Sequence, residues 1–238
     1  ECPDRYPDKI NITIACENFR NMRAYISMGL LVHIQVDDRY RPGDINAGSN
    51  KEMKIHTRVL GPSWVRPDQL ELFANGHRIL TRDLRPTAKV EKANLTFTLP
   101  RPAHDTHLIA IATGPGITEP FWESPRPYVP TTPKYTPRVQ GATNPIFIDG
   151  DGDGKYNAPR KQAQQLLTRH ARDLNALFKA LARYDQAVAA QAAALLHQAD
   201  HNLNAPTLRR HWTRISSTQA GFTAYLGTMK SKPDDSGN

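Results

Sequence analysis

Apolar and polar positions alternate over long stretches of the first half of the chain. Val32, Ile34 and Val36 alternate with His33, Gln35 and Asp37. Met53, Ile55, Thr57 and Val59 alternate with Lys54, His56 and Arg58, and Leu95, Phe97 and Leu99 alternate with Thr96 and Thr98. A period of two with one polar face predicts strands of a half-buried sheet. Leu108–Ala112 is continuously apolar and predicts a buried strand. Asn75-Gly76 lies between the apolar runs Leu70–Phe73 and Ile79–Leu80, the strongest short-range signal for a hairpin. Arg41-Pro42-Gly43-Asp44, Gly48-Ser49-Asn50 and Gly61-Pro62-Ser63 separate the runs as turns. Pro42, Pro62, Pro67, Pro86 and Pro100 would break helices over this region. Residues 29–117 are therefore predicted as an antiparallel, Ig-like β-sandwich, and the fold class as mainly β.

The second half has a different period. No Gly or Pro occurs from Arg160 to Ala205, and Leu167, His170, Leu174, Leu177, Leu181, Tyr184 and Val188 recur every three or four positions. That stripe predicts a C-terminal α-helical module over 159–226. Pro159 suits a first helical turn, Asp185 the cap of a second helix, and Pro206 the start of a further one carrying Leu208, Trp212 and Ile215. Lys and Arg in 159–183 read as a solvated basic face.

Between the two textures, residues 118–148 are predicted as a proline-rich strap that ends in the strand Ile146–Ile148. Phe121, Trp122, Tyr128 and Tyr135 are interleaved with its prolines, which suits an extended segment docked on another surface. Residues 1–28 read as a tail followed by one short helix. It carries Phe19, Met22 and Tyr25 and stops at Gly29. Residues 227–238 are polar and predicted disordered.

Composition narrows the classes. The chain has 238 residues, 39% of them hydrophobic, enough for a core in one or two domains. The longest apolar run, Met28–Val36, is interrupted by His33 and Gln35, so no membrane span is expected. A net charge of +8 permits an anionic partner. No nucleic-acid motif accompanies it, and no nucleic-acid partner is expected. Cys2 and Cys16 are the only cysteines; two do not define a disulfide framework, and no C-x-x-C pair suggests a zinc ribbon.

The sharpest chemical motif is Asp149-Gly150-Asp151-Gly152-Asp153-Gly154-Lys155. Asp149, Asp151 and Asp153 alternate as in the first half of a calcium loop, and the glycines let the backbone wrap an ion. The Lys155 carbonyl and the Asn157 side chain could add ligands. Arg160 stands where such a loop has its bidentate Glu, so the expected cofactor is calcium in a weak site. The bland alternative is a polar turn of residues 149–158 leading into the helix. His104-Asp105-Thr106-His107 could bind a metal, but its place between two strands predicts a surface loop. Trp64 and Trp122 could stack a sugar, although a core role is more common. No Ser or Cys nucleophile stands near a base and no Gly loop cradles phosphate, so no catalytic residue is assigned.

Several segments, in this order and spacing, resemble the C-terminal part of CehA/McbA-like metallohydrolases of the PHP superfamily. They are Asn18-Phe19-Arg20, Arg23-Ala24-Tyr25-Ile26-Ser27-Met28-Gly29, Arg39-Tyr40-Arg41-Pro42-Gly43-Asp44, Leu70-Glu71-Leu72-Phe73-Ala74-Asn75-Gly76, Ala112-Thr113-Gly114-Pro115-Gly116 and Thr143-Asn144-Pro145-Ile146 with the Asp/Gly loop. The resemblance covers about residues 16–160 and is loose in the helical end. It implies a parent enzyme whose N-terminal domain binds divalent metals such as zinc or manganese and hydrolyses phosphoester, ester or carbamate bonds. None of that domain's ligand motifs, a His-x-His pair first among them, can be placed here. The resemblance thus implies a non-catalytic accessory region, partnered by the PHP catalytic domain of the same parent, with residues 1–28 as the remnant of that domain. The start at Glu1-Cys2, without initiator Met or signal-peptide pattern, is expected of a processed product or a piece of something longer. The rival expectation is a calcium-stabilised β-sandwich that binds glycans or a cell surface. No compartment follows from the residues; a weak calcium site is compatible with export.

Overall fold

A computed structural model describes residues 6–117 and 137–230. It divides into two compact units. Within the described residues, the first holds 6–74, 78–101, 107–117 and 137–152; the second holds 75–77, 102–106 and 153–230.

The first unit opens with α1 (Ile12–Arg20) and β1 (Tyr25–Met28). Then follow β2 (Leu31–Val36), β3 (Ile45–Asn46), β4 (Glu52–Leu60), β5 (Gln69–Ala74), β6 (His77–Asp83) and β7 (Glu91–Pro100). β8 (Thr106–Pro115), β9 (Arg138–Thr143) and β10 (Ile146–Ile148) complete the strands. The alternation read in the sequence is the burial pattern of the strands. Val32, Ile34 and Val36 are buried while His33 and Gln35 are not, and β4 buries Met53, Ile55, Thr57 and Val59.

Sheet B runs β2-β4-β7, all antiparallel. Sheet A has seven strands, with β1-β9-β8-β10-β3 in order and the β5–β6 hairpin joined through β5 to β8. The hairpin turn is Asn75-Gly76, both at positive φ (47° and 78°), as the Asn-Gly signal requires. One apolar core takes Val32, Ile34 and Val36 from β2, Ile55 and Val59 from β4, and Leu70 and Leu72 from β5. Ala110 and Ala112 of β8, Val139 of β9, and Ile146 and Ile148 of β10 complete it. The β-rich architecture matches expectation. Sheet A is mixed rather than purely antiparallel, because β10 pairs with β3 in parallel register, Phe147 to Ile45 and Ile148 to Asn46.

A polar hub sits in this unit. The Asn46 side chain donates to Asp37 at 2.9 Å and accepts from Arg101 at 3.1 Å. Arg101 Nη2 reaches Asp37 at 3.5 Å, its Nε donates to the Asn50 carbonyl at 2.9 Å, and its side chain is 9% exposed. Asn46 and Arg101, the buried groups of this hub, thus have partners, as burial demands.

Three expectations for this unit need correction. The N-terminal helix lies earlier, at Ile12–Arg20, and Tyr25–Met28 is a strand, paired antiparallel with β9 (Tyr25 to Thr143, Met28 to Gln140). The reason is local. Asn11 caps α1 by accepting the Ile14 N–H at 3.1 Å, and Met22 at positive φ ends it before the aromatic and β-branched run begins. The end of the strap is part of the sheet rather than docked on another surface: Arg138–Thr143 is a strand inside sheet A between β1 and β8. The strap over 118–136, with Phe121, Trp122, Tyr128 and Tyr135, lies outside the described residues, as do Cys2 and the tail over 231–238.

The second unit carries α2 (Pro159–Arg169), α3 (Leu174–Leu181), α4 (Gln186–Gln198), α5 (Pro206–Trp212) and α6 (Ser216–Lys230). Pro159 and Pro206 occupy first turns, and Asp185 caps α4 by accepting the Val188 N–H at 3.0 Å. The stripe from Leu167 to Tyr184 is not one helix. Asp173 caps a new one by accepting the Ala176 N–H at 3.0 Å, which turns the chain after His170. The core of this unit includes Leu166, Leu177, Phe178, Leu181, Val188, Leu196, Leu208, Trp212 and Phe222. Trp212 Nε1 donates to the Leu203 carbonyl at 3.0 Å. Because α6 runs to Lys230, residues 227–230 are helical rather than part of a disordered tail. No helix of the described residues is long and apolar enough to cross a membrane.

Candidate functional site

The Asp/Gly loop leaves β10 at Asp149, whose side chain is buried and whose Oδ1 accepts the Gly152 N–H at 2.7 Å. Gly152 and Gly154 stand at φ of +78° and +80° with open space where a Cβ would be. The backbone conformation, rather than crowding, asks for glycine there. Asp149 and Asp151 offer carboxylate oxygens within 4.8 Å of one another. Two ionised carboxylates this close repel unless a positive charge is shared between them. All-oxygen donors suit a hard cation, so the pair can take a metal ion.

The other predicted ligands are engaged differently. Asp153 accepts the N–H of Lys155 at 2.8 Å, which folds the end of the loop on itself. Lys155 is exposed. Asn157 is buried in the second unit, where its N–H and its Nδ2 donate to Oδ2 of Asp105 at 2.7 and 3.0 Å. Of the five residues named from the sequence, Asp149 and Asp151 are brought together, and Asn157 turns to a different acid.

That acid was not foreseen. His104-Asp105-Thr106-His107, expected as a surface loop, is a buried element: Asp105 is 1% and Thr106 3% exposed. Gln162 of α2 donates to the Asp105 carbonyl at 2.9 Å and to the Asn157 carbonyl at 2.7 Å. Burying this carboxylate is tolerated because the backbone and side-chain N–H groups of Asn157 both donate to its Oδ2. Its partners lie 52 and 57 residues away along the chain, so no local pattern announces them.

His104 belongs to the same unit. Its Nε2 lies 3.3 Å from Oδ2 of Asp185, an ion-pair distance off the line of a strong hydrogen bond, and its ring stands 5.2 Å from that of Tyr184. Asp185 also accepts from Asn75 Nδ2 at 2.8 Å while capping α4. Burial raises the Asp185 carboxyl, but the His104 ring beside it and the hydrogen bonds from the Val188 N–H and Asn75 outweigh that and hold the group below the usual carboxylate range. Burial first, then the Asp105 and Asp185 carboxylates, push the nearby Tyr156 hydroxyl up to about 12. The acid of this His–Asp pair is committed to a helix cap and an amide, which is an anchoring arrangement rather than that of a base serving a nucleophile.

Elsewhere, His197 pairs with the Tyr225 hydroxyl at 2.8 Å and His201 lies past the end of α4. Trp64 packs against the core of the first unit, and Trp122 is outside the described residues. Comparison with protein-family models, with curated proteins and with solved structures finds no match to this chain.

Proposed function

We propose that this chain is a non-catalytic accessory region of a metal-dependent hydrolase of the PHP class, which packs on the catalytic domain of its parent. The observation that carries the reading is uncovered apolar surface. Helix α1 has no buried residue; Ile12 and Phe19 are 74% and 76% exposed, and Ile26 and Met28 on the edge strand β1 are 61% and 41% exposed. Large apolar side chains left in water along one stretch of chain are characteristic of a surface that a partner covers. The residues behind the resemblance, Asn18-Phe19-Arg20 and Arg23 to Gly29, are these same two elements.

On this reading the divalent metals of hydrolysis, zinc or manganese, belong to the partner domain. The ion for the Asp149–Asp151 loop is calcium, and the β-rich unit is an Ig-like sandwich appended to the catalytic fold. The purified chain, assayed on aryl phosphates and aryl esters with manganese or zinc, is expected to give no turnover above the metal alone. Turnover that a chelator abolishes and that His104→Ala removes would overturn the reading.

A further inference from the structure

The outer face of sheet B carries Lys54, Arg58 and two imidazoles, beside Glu52, and neither the resemblance nor the metal loop uses them. Period-two burial points His33, Gln35, Lys54, His56 and Arg58 away from the core. Register sets His33 directly opposite Arg58, and Gln35 opposite His56. On the other side of β4, Arg58 faces Asn94 and His56 faces Thr96. Cross-strand neighbours on one face stand about 5 Å apart at Cβ, so these side chains converge.

They converge on a groove of about 300 Å³ lined by Tyr25, His33, Gln35, Arg41, His56 and Arg58, with Ile34. That volume is at the small-ligand end of the usual range. No carboxylate lines it. Two acids bond to residues of its lining: Glu91 accepts from Nε of Arg58 at 2.6 Å, and Asp44 accepts the Arg41 N–H at 2.9 Å and pairs with Arg23 at 3.4 Å. Arg58 has no protein partner for its two terminal amino groups among the described residues, and His56 uses only Nε2, with Asn94 at 2.7 Å. One wall is aromatic, since the Tyr25 and His33 rings meet edge to face at 5.0 Å.

We propose that this groove binds a ring-bearing phosphate monoester. Two guanidinium groups from different elements and two imidazoles line the one groove and match a compact multivalent oxyanion. A single carboxylate would use only part of the set, whereas guanidinium forks grip phosphate through paired N–H donors. The Tyr25–His33 wall then gives the ligand's ring an apolar contact that inorganic phosphate lacks. The net charge of +8 favours the encounter without choosing the site.

The test is amide chemical-shift titration of the full chain at low salt with phenyl phosphate, inorganic phosphate and phenol. Phenyl phosphate is expected to move signals of β2 and β4 and to bind more tightly than inorganic phosphate, with phenol silent. Arg58→Gln and, on a separate segment, Arg41→Gln should each weaken phenyl phosphate about tenfold. Lys161→Gln, which removes an exposed charge on α2, should change it by less than about twofold. Shifts absent from β2 and β4, an equal loss in all three variants, or binding of phenol would overturn the proposal. Equal affinity for phenyl phosphate and inorganic phosphate would overturn the ring-contact assignment and with it the ligand class.

Discussion

Helices α1 and α3 begin alike and end differently. Each is about two turns long, and each starts from a side chain that accepts the N–H three residues on, Asn11 for α1 and Asp173 for α3. Both carry an apolar face. In α3 that face meets Leu208, Trp212 and Phe222, and Leu177, Phe178 and Leu181 are buried. In α1 nothing is buried, and Phe19 stands in water. A short helix gains little from propensity and capping alone, so most of its stability comes from the face it covers. The contrast separates amphipathicity that the chain satisfies within itself from amphipathicity left over. The leftover part is where a partner is expected.

The comparison can be broken by truncating each helix at its aromatic residue. Phe178→Ala should cost about 3–5 kcal/mol by loss of burial and creation of a cavity. Phe19→Ala should stay within about 0.5 kcal/mol in the isolated chain. Denaturant midpoints of the two variants measure the difference, and a large cost at Phe19 would mean that α1 is held by contacts of its own chain.

A second contrast, between the two polar hubs, yields the next effect in size. Arg101→Ala would remove one donor each from the Asn46 side chain, the Asn50 carbonyl and Asp37 and should cost about 2–3 kcal/mol. The exposed pair Lys54–Asp38, at 2.9 Å, should cost less than about 0.5 kcal/mol when Lys54 is replaced by Ala. The hub of the second unit depends on Asp185, whose carboxyl is depressed in the fold. Its contribution is therefore present above the ordinary carboxylate value of about 3.9 and is lost as pH falls through the lower folded value. Asp185→Asn keeps a capping oxygen and removes the charge. Urea midpoints taken from neutral to acid pH should fall less steeply for this variant than for the unmodified chain.

The smallest effect concerns the Asp149–Asp151 pair. Millimolar calcium should raise the melting temperature by an amount equivalent to about 1 kcal/mol for a dissociation constant of roughly 0.1–1 mM. Asp151→Ala should abolish that rise and leave the calcium-free melt nearly unchanged, because the side chain is exposed. A rise that persists in the variant would assign the ion to some other place.

What could be read in the sequence follows from the range of the interactions. The strands β2, β4 and β7, the Asn75-Gly76 hairpin, the Asp185 cap and the starts at Pro159 and Pro206 are set by neighbours within a few residues, and all were legible. β9 was hidden because its residues follow a proline-rich stretch and owe their pairing to β8 and β1. The break in the helical stripe was marked only by Asp173, a residue equally at home on a basic, solvated face. Part of the loop chemistry was legible, in that Asp149 and Asp151 do come together. Asp105 was not legible. A polar tetrapeptide between strands reads as surface until Asn157 and Gln162, from distant positions, are seen to bury it.

The most direct measurement of the central claim is amide hydrogen exchange of the isolated, monomeric chain, resolved over α1 and α3. If α1 is a docking element waiting for its partner, its amides should exchange close to the rate of unstructured chain, while those of α3 stay protected by orders of magnitude. Protection of α1 comparable to that of α3 in a monomeric sample would contradict the account, because the helix would then be satisfied by this chain alone.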